Sequence, residues 1–252
     1  MRTLPDSIRT EGHGLRTLYL CEGIEADAVL EALQTPGEML KDGDKRIVRK
    51  VGDWVIKESR FNKGVGPLKM TTNPQRYRNG WLSSLEMMRL GLPVPKTIAY
   101  VEHHLCGVIW RSTFIYEYIP EALPLNEYLH SLNDAGKDQA PEPFFQGLAA
   151  ALHQLAQARV LHRDLKPLNV LTANGKDFYF IDLDEAFLDH DFLPEHRLRN
   201  QVQLLDGMRT AWTREQYNDF LEASIPAGEE VESWKKRVWE IVDERADSGK
   251  FY

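Results

Sequence analysis

Cysteine is nearly absent. The chain has two in 252 residues, Cys21 and Cys106, in unrelated segments, which excludes a disulfide framework and a cysteine-built zinc site. Both are read as reduced and structural. No apolar run approaches the roughly 18 residues of a membrane span. The opening MRTLPDSIRTEGHG lacks the apolar core of a signal peptide, so a cytoplasmic location is expected. Internal repeats and low-complexity tracts are missing as well. Positive charge is not in excess: 31 Lys and Arg face 38 Asp and Glu, a net charge of −7, which argues against a nucleic-acid partner.

What is present is ordinary globular material. With 42% hydrophobic residues, the length suits one two-lobed unit or two small domains. Charge is unevenly spread: residues 41–78 hold eleven Lys and Arg against four Asp and Glu, a local +7 that leaves −14 for the rest. Phosphate handling or an anionic acceptor near a membrane face would explain the basic segment. Solvated strand and loop faces would explain it equally well.

The densest chemistry lies in His162-Arg163-Asp164-Leu165-Lys166-Pro167-Leu168-Asn169, followed by Phe178-Tyr179-Phe180-Ile181-Asp182. Phosphoryl transfer from ATP needs a group that positions the attacking hydroxyl and oxygen ligands for the metal that offsets phosphate charge. Asp164 suits the first task. Asn169, five residues on, and Asp182, thirteen further, suit the second, because Mg²⁺ prefers amide and carboxylate oxygens. The apolar run before Asp182 reads as a buried strand that delivers it rigidly. Types and spacings together match the protein-kinase catalytic loop and its later metal aspartate. Where that pattern has Asp-Phe-Gly, this chain has Asp182-Leu183-Asp184. Asp184 is read either as a further metal or water ligand or as a solvated side chain.

Around this motif the chain reads as an α+β, two-lobed kinase-like fold: a small antiparallel sheet followed by a mainly helical half. Residues 15–20 suggest a strand and Ala26 to Leu33 a helix, within a leading extension, residues 1–37, that packs on or leads into the first lobe. Residues 38–119 form that lobe and 120–252 the second. Its sheet starts at Glu38-Met39-Leu40, turns through Asp42-Gly43-Asp44, continues over Arg46 to Val51, and turns at Gly52-Asp53 into Trp54-Val55-Ile56-Lys57. Lys57 ends an apolar strand, as the ATP-pairing lysine of kinases does. The alternative is an edge-strand lysine that keeps the sheet soluble. The glycine-rich phosphate loop is missing, and backbone amides of residues 41–45 would have to cover the phosphates. Residues 58–78 read as a long mobile connection. A helix over Trp81 to Leu90 carries Glu86, the best available partner for Lys57. Strands over Thr97 to Glu102 and Val108 to Tyr118 are joined through a His103-His104 turn. The end of the second resembles a kinase hinge, in which backbone groups of Glu117 and Ile119 would bind adenine; a plain strand end is the other reading.

In the second half a short helix is expected over Leu125 to Leu132 and a linker over Asp134 to Pro143. An amphipathic helix follows over Phe144 to Gln157, with Leu148, Leu152 and Leu155 in the core and His153 a satisfied structural histidine. Further helices are expected over Pro194 to Met208, Arg214 to Ala223 and Glu229 to Ala246. The last places Val231, Trp234, Val238, Ile241 and Val242 on one stripe.

From about Glu38 to Gly207 the chain resembles the bacterial lipopolysaccharide-kinase group of the protein-kinase-like superfamily, which includes core heptose kinases, Kdo kinases and InaA-type proteins. The residues that carry this are Val55-Ile56-Lys57, Gly91-Leu92-Pro93-Val94-Pro95, Tyr116-Glu117-Tyr118, His162 to Asn169, and Ile181-Asp182-Leu183-Asp184. The resemblance implies ATP with Mg²⁺ and phosphorylation of a sugar hydroxyl of the lipopolysaccharide core, or of a related glycolipid, at the cytoplasmic face of the inner membrane. It also implies that Lys57 orients the ATP phosphates, Asp164 positions or deprotonates the acceptor, Lys166 neutralises the transferring group, and Asn169 and Asp182 hold metal. Where many members have Glu before the helical tryptophan, this chain has Gly80 before Trp81. Two other readings compete, a Ser/Thr protein kinase and a non-catalytic kinase-like binding protein. The first is weakened because no Ala-Pro-Glu follows Asp182 and helical pattern resumes at Pro194, leaving little platform for a peptide.

Overall fold

The structure is a computed structural model that describes residues 4–44, 46–60, 66–134, 142–188, 193–208, 213–226 and 228–248. The chain divides into two compact units, Met1–Arg89 with Pro95–Ile119 and Leu90–Val94 with Pro120–Tyr252. No helix among the described residues is long and apolar enough to cross a membrane.

The first unit is built on one seven-stranded antiparallel sheet. Its strands are β1 (Arg9–His13), β2 (Arg16–Leu20), β3 (Glu38–Asp42), β4 (Arg46–Val51), β5 (Trp54–Arg60), β6 (Thr97–Leu105) and β7 (Val108–Glu117), in the order β1-β2-β6-β7-β5-β4-β3. The first 37 residues thus extend the sheet: β2 pairs with β6 from Arg16 opposite His103 to Leu20 opposite Ala99. They also supply helix α1 (Ala26–Gln34), rich in strong helix formers, with Asp27 in the first turn where the dipole favours an acid. Its Val29 and Ala32 pack on Leu18, Leu20, Ile56, Ala99, Val101 and Ile115. At its C-terminal end the Arg49 guanidinium donates to the carbonyls of Ala32 and Leu33 at 3.3 and 2.8 Å, so a strand residue satisfies groups the helix leaves open.

A second cluster joins Tyr19 and Tyr100 to Trp81, Leu82 and Leu85 of helix α3 (Pro74–Arg89). Trp81 stacks on Tyr100 with ring centroids 4.9 Å apart. A polar clamp accompanies it. Arg78 donates from Nε and Nη2 to the two oxygens of Glu102 at 2.7 and 2.8 Å, and from Nη2 to the Tyr19 hydroxyl at 2.6 Å. Glu102 is 2% exposed, and its pairing with Arg78 offsets the cost of burying a carboxylate.

Two expectations need correction. Residues 66–72 and 74–78 are helical, in α2 (Gly66–Thr72) and the start of α3, whereas residues 61–65 lie outside the described set. Pro74 reads as a breaker, but at the first helical turn its missing N–H is no loss. His103 and His104 are strand residues; the turn falls on Cys106 and Gly107, both at positive φ, 49° and 77°, the backbone a two-residue hairpin requires.

The second unit begins with a two-residue strand β8 (Leu123–Pro124) and helices α4 (Leu125–Asp134) and α5 (Glu142–Gln157). Phe144 of α5 stacks with Tyr128 and meets the edge of Phe178 at 5.3 Å. Leu148 and Leu155 are buried as expected, while Leu152 is half-buried. His153 departs from expectation, since its Nε2 is buried with no hydrogen-bond partner among the described residues. Short strands β9 (Leu161–His162), β10 (Val170–Thr172), β11 (Tyr179–Phe180) and β12 (Ala186–Phe187) frame the loops between them, and helices α6 (Pro194–Met208), α7 (Arg214–Ala223) and α8 (Val231–Asp247) complete the unit. Thr213 and Gln216 form a capping box at the start of α7. The expected stripe on α8 buries Trp234, Val238 and Val242.

Replacing Arg78 with Met should destabilise the protein by about 3–5 kcal/mol, because the buried Glu102 carboxylate loses its partner. Adding Glu102→Gln should recover much of that loss in urea unfolding. His103 provides a pH dependence. It is 4% exposed, and burial, then the Arg111 and Arg16 guanidinium groups, push its pKa from 6.5 down to about 3. The unfolded chain therefore binds the proton first. Stability is fully present above the unfolded value and falls as pH drops through the window toward the folded one. Urea midpoints at about pH 7 and about pH 4.5 should differ less for His103→Gln than for the unchanged protein.

Candidate active site

The catalytic-loop residues all belong to the second unit. His162 ends β9 fully buried. Its Nε2 lies 3.1 Å from the Ile181 carbonyl oxygen, and the Asp164 N–H points at its Nδ1 at 3.3 Å. A carbonyl only accepts and an N–H only donates, so the ring is neutral with its proton on Nε2. Burial pushes its pKa down, which stabilises that form. One imidazole thus ties the backbone at Asp164 to the residue before Asp182.

Past Asp164 the chain turns back on itself. The Lys166 N–H donates to the Asp164 carbonyl at 3.0 Å, and a single 3₁₀ turn over Pro167–Asn169 follows. That turn delivers the Asn169 side chain, 5% exposed, back to Asp164. Its Nδ2 donates to the Asp164 carbonyl at 2.8 Å and to Oδ2 at 3.1 Å. The Lys166 ammonium lies 2.9 Å from the same Oδ2. Oδ1 of Asp164 and Oδ1 of Asn169 take no part in these bonds.

Asp182 is placed by its neighbour. Ile181 donates its N–H to the Asn169 carbonyl at 3.0 Å while its own carbonyl takes the His162 bond. Asp182 itself is left-handed, φ 56° and ψ 52°, a conformation uncommon for non-glycine residues but tolerated by Asp. A 3₁₀ turn over Leu183–Glu185 follows, with Leu183 buried and Asp184 half-buried. β12 then pairs with β9, Ala186 opposite His162. The Gly91-Leu92-Pro93-Val94 stretch acquires a role here, as the Pro93 carbonyl accepts the Phe180 N–H at 2.9 Å, bracing the strand before Asp182.

Among the described residues no group of three or more His, Cys, Asp or Glu could hold a metal by itself. One amide oxygen and one carboxylate nevertheless suit Mg²⁺, which commonly takes one or two protein carboxylates with substrate phosphates and water. The other expected site residues lie in the first unit. Lys57 is on β5, opposite Val48 and Phe114. Glu86, on α3, accepts hydrogen bonds from Arg89 of its own helix. Glu117 closes β7 with its N–H bonded to the Lys96 carbonyl at 2.8 Å, and Ile119 follows it.

One set of residues was not foreseen. α6 meets the catalytic loop at Arg199, Gln203 and Gly207, four residues apart and so on one helix face. Gln203, 1% exposed, accepts the Leu165 N–H at 3.1 Å and donates to the Arg163 carbonyl at 2.7 Å, gripping the backbone on both sides of Asp164. Arg199 donates to the same Arg163 carbonyl at 3.1 Å. A Cβ on Gly207 would lie 2.5 Å from Pro167, so the helix approaches that closely only without a side chain. The sequence signal was a polar residue on the inward side of an amphipathic helix.

The buried His162 fixes the loop of Asp164, Lys166 and Asn169 to the segment that carries Asp182, an arrangement expected of a kinase-like phosphotransferase. The family comparison agrees. Residues 76–223 match the model of the lipopolysaccharide kinase (Kdo/WaaP) family, and the chain belongs to that family and is a kinase. Among solved structures it is similar to "WaaP in complex with acyl carrier protein", with 16% identity, a TM-score of 0.60, and coverage of 90% of this chain and 93% of that one. It is also similar to WbdD, described as a bifunctional kinase-methyltransferase, with 17% identity, a TM-score of 0.50 and coverage of 81% of this chain. There it spans 43% of the longer chain. At these identities the structures speak to the fold. No curated protein matches the sequence.

Gln203→Leu would leave the Leu165 N–H and the Arg163 carbonyl without their partner. Turnover should fall by about 10²-fold, the scale of a one-ångström misplacement, with the KM for ATP little changed. Steady-state kinetics beside a thermal unfolding curve separate this from loss of fold.

Proposed function

We propose that this protein transfers the γ-phosphoryl group of ATP to a sugar hydroxyl of the lipopolysaccharide core. The observation that carries the reading is the Asp164 carboxylate, with Oδ2 held by Asn169 and Lys166 and Oδ1 left for an acceptor. In the transfer, the acceptor O–H bond breaks as its oxygen bonds to phosphorus. The bond from phosphorus to the ADP oxygen breaks in turn. Asp164 orients the hydroxyl and takes its proton, and Lys166 offsets charge on the moving phosphoryl group. Asn169 and Asp182 would hold Mg²⁺, which supplies Lewis-acid neutralisation of phosphate charge when bound.

In the first unit, Lys57 orients the ATP phosphates, with Glu86 as its partner. The adenine is read by backbone at Glu117 and Ile119. Since the Glu117 N–H is bonded to Lys96, its share falls to the carbonyl. A saccharide acceptor is favoured over a peptide because the chain re-enters helix at Pro194 soon after Asp182, leaving little docking platform. Family membership points the same way.

The test supplies Mg²⁺ and γ-labelled ATP with lipopolysaccharide core saccharide and with protein mixtures, separately. Label is expected in the saccharide. Asp164→Ala should lower kcat by about 10²–10⁴-fold with ATP affinity nearly kept, whereas Asp182→Ala should weaken Mg²⁺-dependent nucleotide binding itself. Label in protein alone, or full activity in Asp164→Ala, would refute the assignment.

A further inference from the structure

Between His162 and Asp164, Arg163 carries a charge that no carboxylate among the described residues neutralises. Its backbone is fixed on both sides: the Arg163 N–H donates to the Glu185 carbonyl at 3.3 Å, and its own carbonyl accepts from Gln203 and Arg199. The side chain has one neighbour. Its guanidinium lies over the Phe187 ring, 4.3 Å from the centroid, and among the described residues it makes no hydrogen bond or ion pair. Arg163 is exposed, and so is Phe187, to 37%.

The placement is rigid. β12 pairs with β9, Ala186 opposite His162 and Phe187 opposite Leu161, so the ring and the arginine that covers it are set by two joined strands, one residue from Asp164. A guanidinium stacked on an aromatic face gives up one side of its plane and none of its five edge N–H groups, which match the paired oxygens of a carboxylate or phosphate.

Acidic side chains of the protein are at hand and are not used. Glu185 lies two residues before Phe187. Glu195 lies four residues before Arg199 on α6, the favourable order for a helical ion pair. Neither bonds to Arg163 or Arg199 among the described residues. Arg199 instead brings a second guanidinium to the Arg163 carbonyl at 3.1 Å. Outside residues 41–78 the chain carries −14, so two arginines gathered at one residue without an acid run against the charge of their surroundings. Such a pair beside Asp164 suits an anion that arrives with the acceptor.

We propose that Arg163, seated on Phe187, is a specificity residue for the acceptor: it binds an anionic group, a carboxylate or a phosphate, on the sugar next to the one that is phosphorylated. This rests on the reading that Asp164 receives a sugar hydroxyl. Consecutive Cα atoms are about 3.8 Å apart, and the two side chains go to different partners, Phe187 and Asn169, so they grip the saccharide at neighbouring rings rather than at one. Arg199 adds positive potential there.

The experiment measures kcat and KM of the full chain with Mg²⁺, ATP and three acceptors: lipopolysaccharide core saccharide, the same saccharide with its carboxyl groups methyl-esterified, and the same saccharide with its phosphates removed by hydrofluoric acid. The unchanged protein is expected to lose about 10–100-fold in kcat/KM, the scale of hydrogen bonds to charged groups, on the form that lacks the bound group. A loss on esterification identifies a carboxylate, and a loss on dephosphorylation a phosphate. Arg163→Gln should raise the KM for the untreated saccharide by a similar factor, shift the KM for ATP by less than about twofold, and bring kcat/KM on the three acceptors together. Arg163→Lys keeps the charge without the fork and should recover part of the preference. Phe187→Leu should raise the acceptor KM about threefold, from loss of the stacking. An arginine that only braced the loop would lower activity on all three acceptors alike in the Gln variant, and that pattern overturns the proposal. So does an unchanged protein that phosphorylates all three equally well, a result that leaves the sugar-kinase reading standing. No label in any saccharide brings down both.

Discussion

The buried, neutral imidazole of His162 is the interaction on which the active site depends. It accepts from Asp164 and donates to Ile181, joining the two loops that carry Asp164 and Asp182. Each bond requires one particular protonation of the ring, and burial enforces it. A charged ring would carry a proton on Nδ1 as well and would repel the Asp164 N–H. The spacing of the Asp164 and Asp182 segments is thus tied to the protonation state of this one ring. Around it the support is redundant. Asn169 returns to Asp164, Ile181 bonds to Asn169, and Pro93 braces the strand between.

The catalytic loop was legible in the sequence because its chemistry fixes residue types at short range. Asp164, Lys166 and Asn169 are brought together by one turn, so their spacing alone encodes their meeting. The strand before Asp182 was legible for the same reason. Gln203, by contrast, reaches Leu165 from 38 residues away, and its one local sign, a polar residue on the inward side of an amphipathic helix, does not say which loop it grips. The close approach of Gly207 to Pro167 was equally invisible, since an isolated glycine in a helix reads as a weakness.

The sheet taught a similar lesson. Its central strands announced themselves by alternation and by glycine turns. The β6–β7 turn did not, because Cys106 is no turn former and the preceding histidines looked more polar than their place allows. His103 is buried through two specific partners, Thr113 and Arg111, which only tertiary structure supplies. Residues 66–78 misled for a different reason. Proline and threonine lower helix propensity, and their packing on β7 and β6 outweighs it.

The family match begins at residue 76, whereas β6 takes β2 on one side and β7 takes β5 on the other. A fragment cut to the matched span would keep those two strands and lose both neighbours, baring two rows of unsatisfied backbone amides and carbonyls over an apolar face. Such edges recruit other chains. The stretch that sequence comparison recognises best is therefore not a piece that can live alone, and the less recognisable beginning of the chain is what keeps it from aggregating.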